Sequence, residues 1–110
     1  MPNLKIYVDR SIASDRHERL ASALPQLRDL LCAHLNAPPS ACQLAIVSVI
    51  GLPDQPQANV ELSILPKEDR PMEVRRSLAT VLQKAISEAL ETHTAVRIAM
   101  LDAPSYVTLR

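Results

Sequence analysis

Twice along this chain a short strand-like run leads into a long segment of helical period and then into a second strand-like run. In the first pass Leu4–Val8 (LKIYV) alternates weakly and is partly β-branched, which predicts a strand. From Asp15 the period changes: Leu20, Leu24, Leu27, Leu31 and Leu35 recur three and four apart, one face of a helix. Gln43–Ile50 (QLAIVSVI) is then a continuous apolar run, which predicts a strand buried on both faces. In the second pass Asn59–Leu65 alternates, with Val60, Leu62 and Ile64 on one side and Glu61 and Ser63 on the other. Val74, Leu78, Val81, Leu82, Ala85, Ala89 and Leu90 mark a second helix, and Ala95–Leu101 predicts a fourth strand. The order β-α-β-β-α-β predicts an α+β fold of tandem β-α-β units: a four-stranded mixed sheet with two helices on one face. The parallel strands of each unit need a crossover through the helix, and that crossover has one hand. A single domain over 1–110 is expected, a pseudo-repeat of roughly 1–50 and 59–101, with SYVTL near the end expected to add a short edge strand.

The punctuation between elements agrees with this plan. Asp15 with Glu18 three residues on suggests a helix start. Pro25 inside that helix costs about 3 kcal/mol and predicts a bend, but the leucine register continues across it. Asn36–Ser40 (NAPPS) ends the helix, and Pro71 fits the first turn of the second.

Composition narrows the function. Hydrophobic residues are 47% of the 110 and charged residues 22%, as in a soluble globular protein. With no Trp, no Phe and two Tyr, the core must be aliphatic. Lys+Arg and Asp+Glu are 12 each, so there is no basic footprint for nucleic acid. A neutral chain of this kind gains little colloidal repulsion and is expected to hide surface in an oligomer. No run is long and apolar enough for a membrane span, and no signal peptide is read at the amino end. Cys32 and Cys42 are not in a CxxC and have no His at ligand spacing, so no metal is expected, and the thiols read as buried cysteines of a cytoplasmic protein. His17, His34 and His93 are scattered and read as structural or exposed. The one glycine, Gly51, leaves no phosphate loop.

MPNLKIYVDRS followed by a helix, LNAPPSACQLAIVSV, and a second half that repeats the plan resembles the tautomerase superfamily. That superfamily includes 4-oxalocrotonate tautomerase, 5-carboxymethyl-2-hydroxymuconate isomerase, malonate semialdehyde decarboxylase and macrophage migration inhibitory factor. The Met-Pro start, Asp9-Arg10-Ser11 and Leu35-Asn36-Ala37-Pro38 carry the resemblance. It implies removal of Met1, an N-terminal Pro2 acting as general acid/base, no cofactor, a small anionic substrate and a homotrimer with a role in aromatic compound catabolism. A free proline nitrogen is a secondary amine that accepts a proton, whereas an acylated one does not. Burial lowers the pKa of an amine towards working pH, where a base is most useful. Ile6, Ile46 and Ile64 are the residues expected to supply the apolar pocket. By resemblance Arg10 and Arg70 are substrate-binding arginines, with Lys67 nearby, suited to carboxylates. Arg97, in a strand, is expected to contact a neighbouring subunit. Gln43 stands near the place where many small tautomerases carry a carbonyl-polarising arginine, a departure that points to a different substrate or to Arg70 in that role. The alternatives are a non-catalytic ferredoxin-like oligomeric binding module and a tautomerase-fold pseudoenzyme.

Overall fold

The structure is a computed structural model that describes residues 2–110. Strand β1 spans Asn3–Asp9, helix α1 Ser14–Leu35, strand β2 Gln43–Val49, strand β3 Ala58–Ile64, helix α2 Met72–Leu90 and strand β4 Thr94–Met100, with a 3-10 turn at Pro39–Ala41 before β2. The four strands lie in the order β2-β1-β3-β4. β1 pairs in parallel with β2, β3 in parallel with β4, and the two pairs join through antiparallel β1 and β3. Each parallel pair therefore belongs to one β-α-β unit, as the order of periods predicts.

The alternation of the inner strands decides which face the helices cover. Leu4, Ile6 and Val8 of β1 and Ala58, Val60, Leu62 and Ile64 of β3 are fully buried beneath the helices. They meet Leu20, Leu27, Leu31 and Leu35 of α1 and Leu78, Leu82, Ile86 and Leu90 of α2, an aliphatic core throughout. Burying each such side chain contributes about 1.5–3 kcal/mol. The other face holds Lys5 in register with Glu61, and Glu61 with Arg97, together with Tyr7 opposite Asn59. α1 runs through Pro25 without interruption, and Pro25 and Ala21 are both exposed. The carbonyl that loses its helical donor at Pro25 is that of Ala21, four residues back, where water reaches it.

Four local expectations change. The apolar run at β2 is an edge strand in which no residue is fully buried. Its partner β1 occupies one side only, and apolar Ala45, Val47 and Val49 lie half-buried on the face without helices. The SYVTL segment forms no strand: residues 101–110 make a turn and an irregular tail, with Val107 and Leu109 exposed, and the tail pairs with neither edge strand of the sheet. The Asp15 and Glu18 pair forms no capping box, since α1 begins one residue earlier with Ala13 at its cap. Pro71 stands at the N-cap of α2 rather than within its first turn.

Candidate active site

The start of β1 is the place where residues of chemical interest converge. Pro2 is buried, and its carbonyl accepts the Gln43 backbone N–H at 2.9 Å, extending the parallel ladder by one bond. Asn3 stands opposite Gln43 on one side and Ser63 on the other. The same end of the sheet thus gathers the start of β2 and the ends of β3 and β4, whose exit is held by the Leu101 N–H bond to the Ile64 carbonyl at 2.8 Å. Met1, whose removal the sequence reading expects, lies outside the described residues.

Arg70 closes this end from below. It is 2% exposed, and its guanidinium donates to the Leu65 carbonyl at 2.9 Å and to the Leu35 carbonyl at 3.2 Å. The first of these follows β3 and the second ends α1, so one side chain ties the two β-α-β units together. Its Nε is buried with no partner among the described residues. A buried cation with a spare N–H is a reserve of positive charge and hydrogen-bonding capacity. The left-handed cap at Asn36 (φ 51°) turns the chain off α1 beside this guanidinium, and the Ala37 N–H returns to the Cys32 carbonyl at 3.3 Å.

A shallow groove of about 520 Å³ runs over the β2 edge; Pro2 does not line it, but Gln43, whose backbone N–H bonds the Pro2 carbonyl, does. Lys5, Arg28 and Gln43 supply its polar groups, and Leu24, Pro25, Leu44 and Cys42 its wall; no carboxylate lines it. The two cations make the groove suited to an anion with an apolar body. Sequence reading named Gln43 here and missed Lys5, Arg28 and Cys42. Arg28 sits one turn after Pro25 on a helix flank outside the leucine stripe, and only the β2 edge across from it marks it out. Burial and contact with Cys32, whose Sγ is 3.9 Å away, push the Cys42 thiol up to about 11.

The other residues named from sequence are distributed differently. Lys67 is exposed in the loop after β3, near the Pro2 end, and its carbonyl accepts the Arg70 N–H at 3.1 Å. Arg10 is exposed at the far end of β1, bonded through its N–H to the Val49 carbonyl at 2.9 Å. At about 3.3 Å per residue along a strand, the length of β1 separates it from Pro2 by roughly 25 Å. Arg97 is exposed on the open face and donates to Asn59 Oδ1 at 3.2 Å. At that far end Asp9 is held below its ordinary value, chiefly by the Ser11 backbone N–H at 2.9 Å and also by that of Gly51 at 2.9 Å, and it organises the β1 and β2 exits rather than a site. Ile6 and Ile64 are fully buried in the core and Ile46 is half-buried against it. Tyr106 is in the exposed tail, its N–H bonded to the Asp102 carbonyl. Among the described residues, no group of three His, Cys, Asp or Glu side chains is arranged to hold a metal.

No protein-family model matches the sequence, and none of the curated proteins matches it. Solved structures do match the fold. A fused 4-OT determined as an asymmetric trimer superposes with a TM-score of 0.74 at 19% identity, over 96% of this chain and 91% of that one. A macrophage migration inhibitory factor-like protein from Entamoeba histolytica gives 0.71 at 12% identity, over 97% and 94%. A protein of unknown function from Vibrio cholerae gives 0.74 at 17% identity, over 97% and 83%. At these identities the likeness is one of fold, and the chain has the tautomerase fold that its β-α-β-β-α-β order and sheet topology describe.

Proposed function

We propose that this chain is a cofactor-independent tautomerase or isomerase of small unsaturated keto or hydroxy-dienoic carboxylic acids, with Pro2 as general acid/base after removal of Met1. The observation that carries the reading is the position of Pro2: buried at the start of β1 and one ladder bond from Gln43, which lines a cationic groove. Freed from Met1, its nitrogen is a secondary amine in apolar surroundings, which favour the neutral, proton-accepting form. The amine takes a proton from a dienol or keto acid and returns it at another carbon. Arg28 and Lys5 hold the substrate carboxylate in the groove, Gln43 donates a hydrogen bond to its carbonyl, and Arg70 supplies positive charge behind the site as enolate character develops.

Arg10 enters this scheme only from a neighbouring subunit, because its own Pro2 is a strand length away. A homotrimer provides that neighbour. Two features support it: the half-buried apolar side chains of β2 on the face without helices, and the trimeric state of the fused 4-OT with which the chain shares its fold. Lys67, in the loop after β3, is a further cation for the substrate at its own chain's site, Arg97 contacts a neighbouring subunit, and the assembly is expected to work in the cytoplasm.

Intact mass before and after brief treatment with an electrophile at neutral pH, with peptide mapping, tests the reading. Loss of Met1 and labelling of Pro2 well ahead of Lys5, Lys67 and Lys84 is the expected result. A retained Met1 would end the catalytic reading, since Pro2 would be an amide. Turnover of pyruvate enols that is insensitive to Pro2→Ala would end it as well.

A further inference from the structure

Cys32 lies in the last turns of α1 and Cys42 directly before β2, and the sulfurs are 3.9 Å apart. Both are partly accessible, and neither is bonded in a disulfide. The Cys42 sulfur also faces the Pro38 carbonyl at 3.7 Å, so the segment between them folds back on itself. That segment is stiff: a left-handed turn at Asn36, the Pro38-Pro39 pair and a 3-10 turn at Pro39–Ala41 hold the two sulfurs together. We propose that Cys32 and Cys42 are a reversible oxidative-modification site, closing to an intramolecular disulfide in response to a low-molecular-weight disulfide such as oxidised glutathione. The inference is independent of the catalytic reading of Pro2.

The geometry asks little. A disulfide needs its sulfurs at about 2.05 Å, so side-chain rotation must bring them together by roughly 1.9 Å from 3.9 Å. The chemistry is two exchange steps. One cysteine thiolate attacks a sulfur of oxidised glutathione, forming a protein–glutathione mixed disulfide and releasing one glutathione thiolate. The second cysteine loses its proton to solvent, and its thiolate attacks the protein sulfur of that mixed disulfide, releasing the second glutathione. Two cysteine thiols are oxidised to one disulfide, and one glutathione disulfide is reduced to two thiols. The Cys42 thiol, raised to about 11, is protonated at neutral pH and suits the second, resolving position, where proximity compensates for its low thiolate fraction. Because Cys42 lines the groove beside Gln43, the bridge draws its sulfur towards α1 and remodels the groove wall.

The test equilibrates the full chain across a series of oxidised to reduced glutathione ratios, folded and again in denaturant, then quenches with acid, alkylates under denaturing conditions and reads intact mass. The expected result is a single-chain species lacking both alkyl adducts and about 2 Da lighter than the reduced chain, the loss of two hydrogens per bridge. A peptide joining residues 32 and 42 should map it. The folded chain should reach half-oxidation at a ratio about tenfold or more below that of the unfolded chain, and Cys32→Ser and Cys42→Ser should each abolish the species. Full alkylation of both thiols at every ratio would overturn the proposal. So would a bridge found only between chains, a mixed disulfide that never resolves, or equal oxidation of folded and unfolded protein.

Discussion

The two β-α-β units follow one plan and finish it differently. Both helices end on a residue other than glycine in the left-handed region, Asn36 at φ 51° and Glu91 at φ 53°. Asparagine adopts that conformation readily, whereas glutamate does so at a cost of about 1 kcal/mol. In the second unit the chain passes directly from Glu91 to β4, and the Glu91 carboxylate turns back to Arg16 at 3.1 Å and Arg19 at 3.5 Å on α1. In the first unit the same passage is longer and carries two prolines, a 3-10 turn and Cys42, whose sulfur faces Cys32 in the last turns of α1, close to the groove. The short crossover closes a frame; the long one brings reactive groups to the end of the sheet. Chemistry accumulates where the repeat departs from its own economy.

The comparison breaks most severely if the units are not one folding body. Leu31→Ala in α1 and Leu82→Ala in α2 each remove a fully buried side chain, and each should cost about 3 kcal/mol. Both should shift a single denaturant transition seen identically by circular dichroism and by hydrogen exchange; two separated transitions would make the units independent. Arg70→Leu comes next. It leaves the Leu35 and Leu65 carbonyls without their donor and should cost about 2 kcal/mol by the same measurement, with both units losing stability together. The caps distinguish the units directly. Asn36→Ala should destabilise by about 1 kcal/mol, whereas Glu91→Gly should gain about 0.5 kcal/mol, the relief of backbone strain exceeding the loss of exposed ion pairs. A destabilised Glu91→Gly would show that the ion pairs outweigh the cap.

The smallest expected effect is in the pH profile. Asp9, in the first unit, has a folded pKa below the ordinary carboxylate value, so its contribution to stability is present above that ordinary value and disappears as pH falls through the lowered one. Asp9→Asn should flatten the acid limb of a stability-against-pH curve. Parallel curves for wild type and Asp9→Asn would remove the Ser11 and Gly51 hydrogen bonds from the account.

Local periodicity carried the element order. Period-two and period-3.6 patterns report which face of a segment is apolar, and that is decided residue by residue within a few turns. Hence β1, β3 and both helices were legible to within a residue or two, and the sheet with two helices on one face followed. β2 was legible as a strand but not in its burial, because a continuous apolar run states only that its faces avoid water, and not what covers them. The SYVTL tail was misread for a related reason: strand propensity in a short segment does not by itself make it pair with an edge. At the candidate site, Pro2 and Gln43 were legible as residue types, and the ladder bond between them is a consequence of register.

What the sequence by itself determined is the alternation of elements, the aliphatic character of the core and the residue set from which a site is drawn. Only the tertiary structure decided that Arg70 is a buried tie between the units, that Arg28 and Lys5 share a groove with Gln43, that Arg10 lies a strand away from Pro2, and that Cys32 meets Cys42. These are meetings between elements, and they depend on strand order and crossover path, which no single segment encodes.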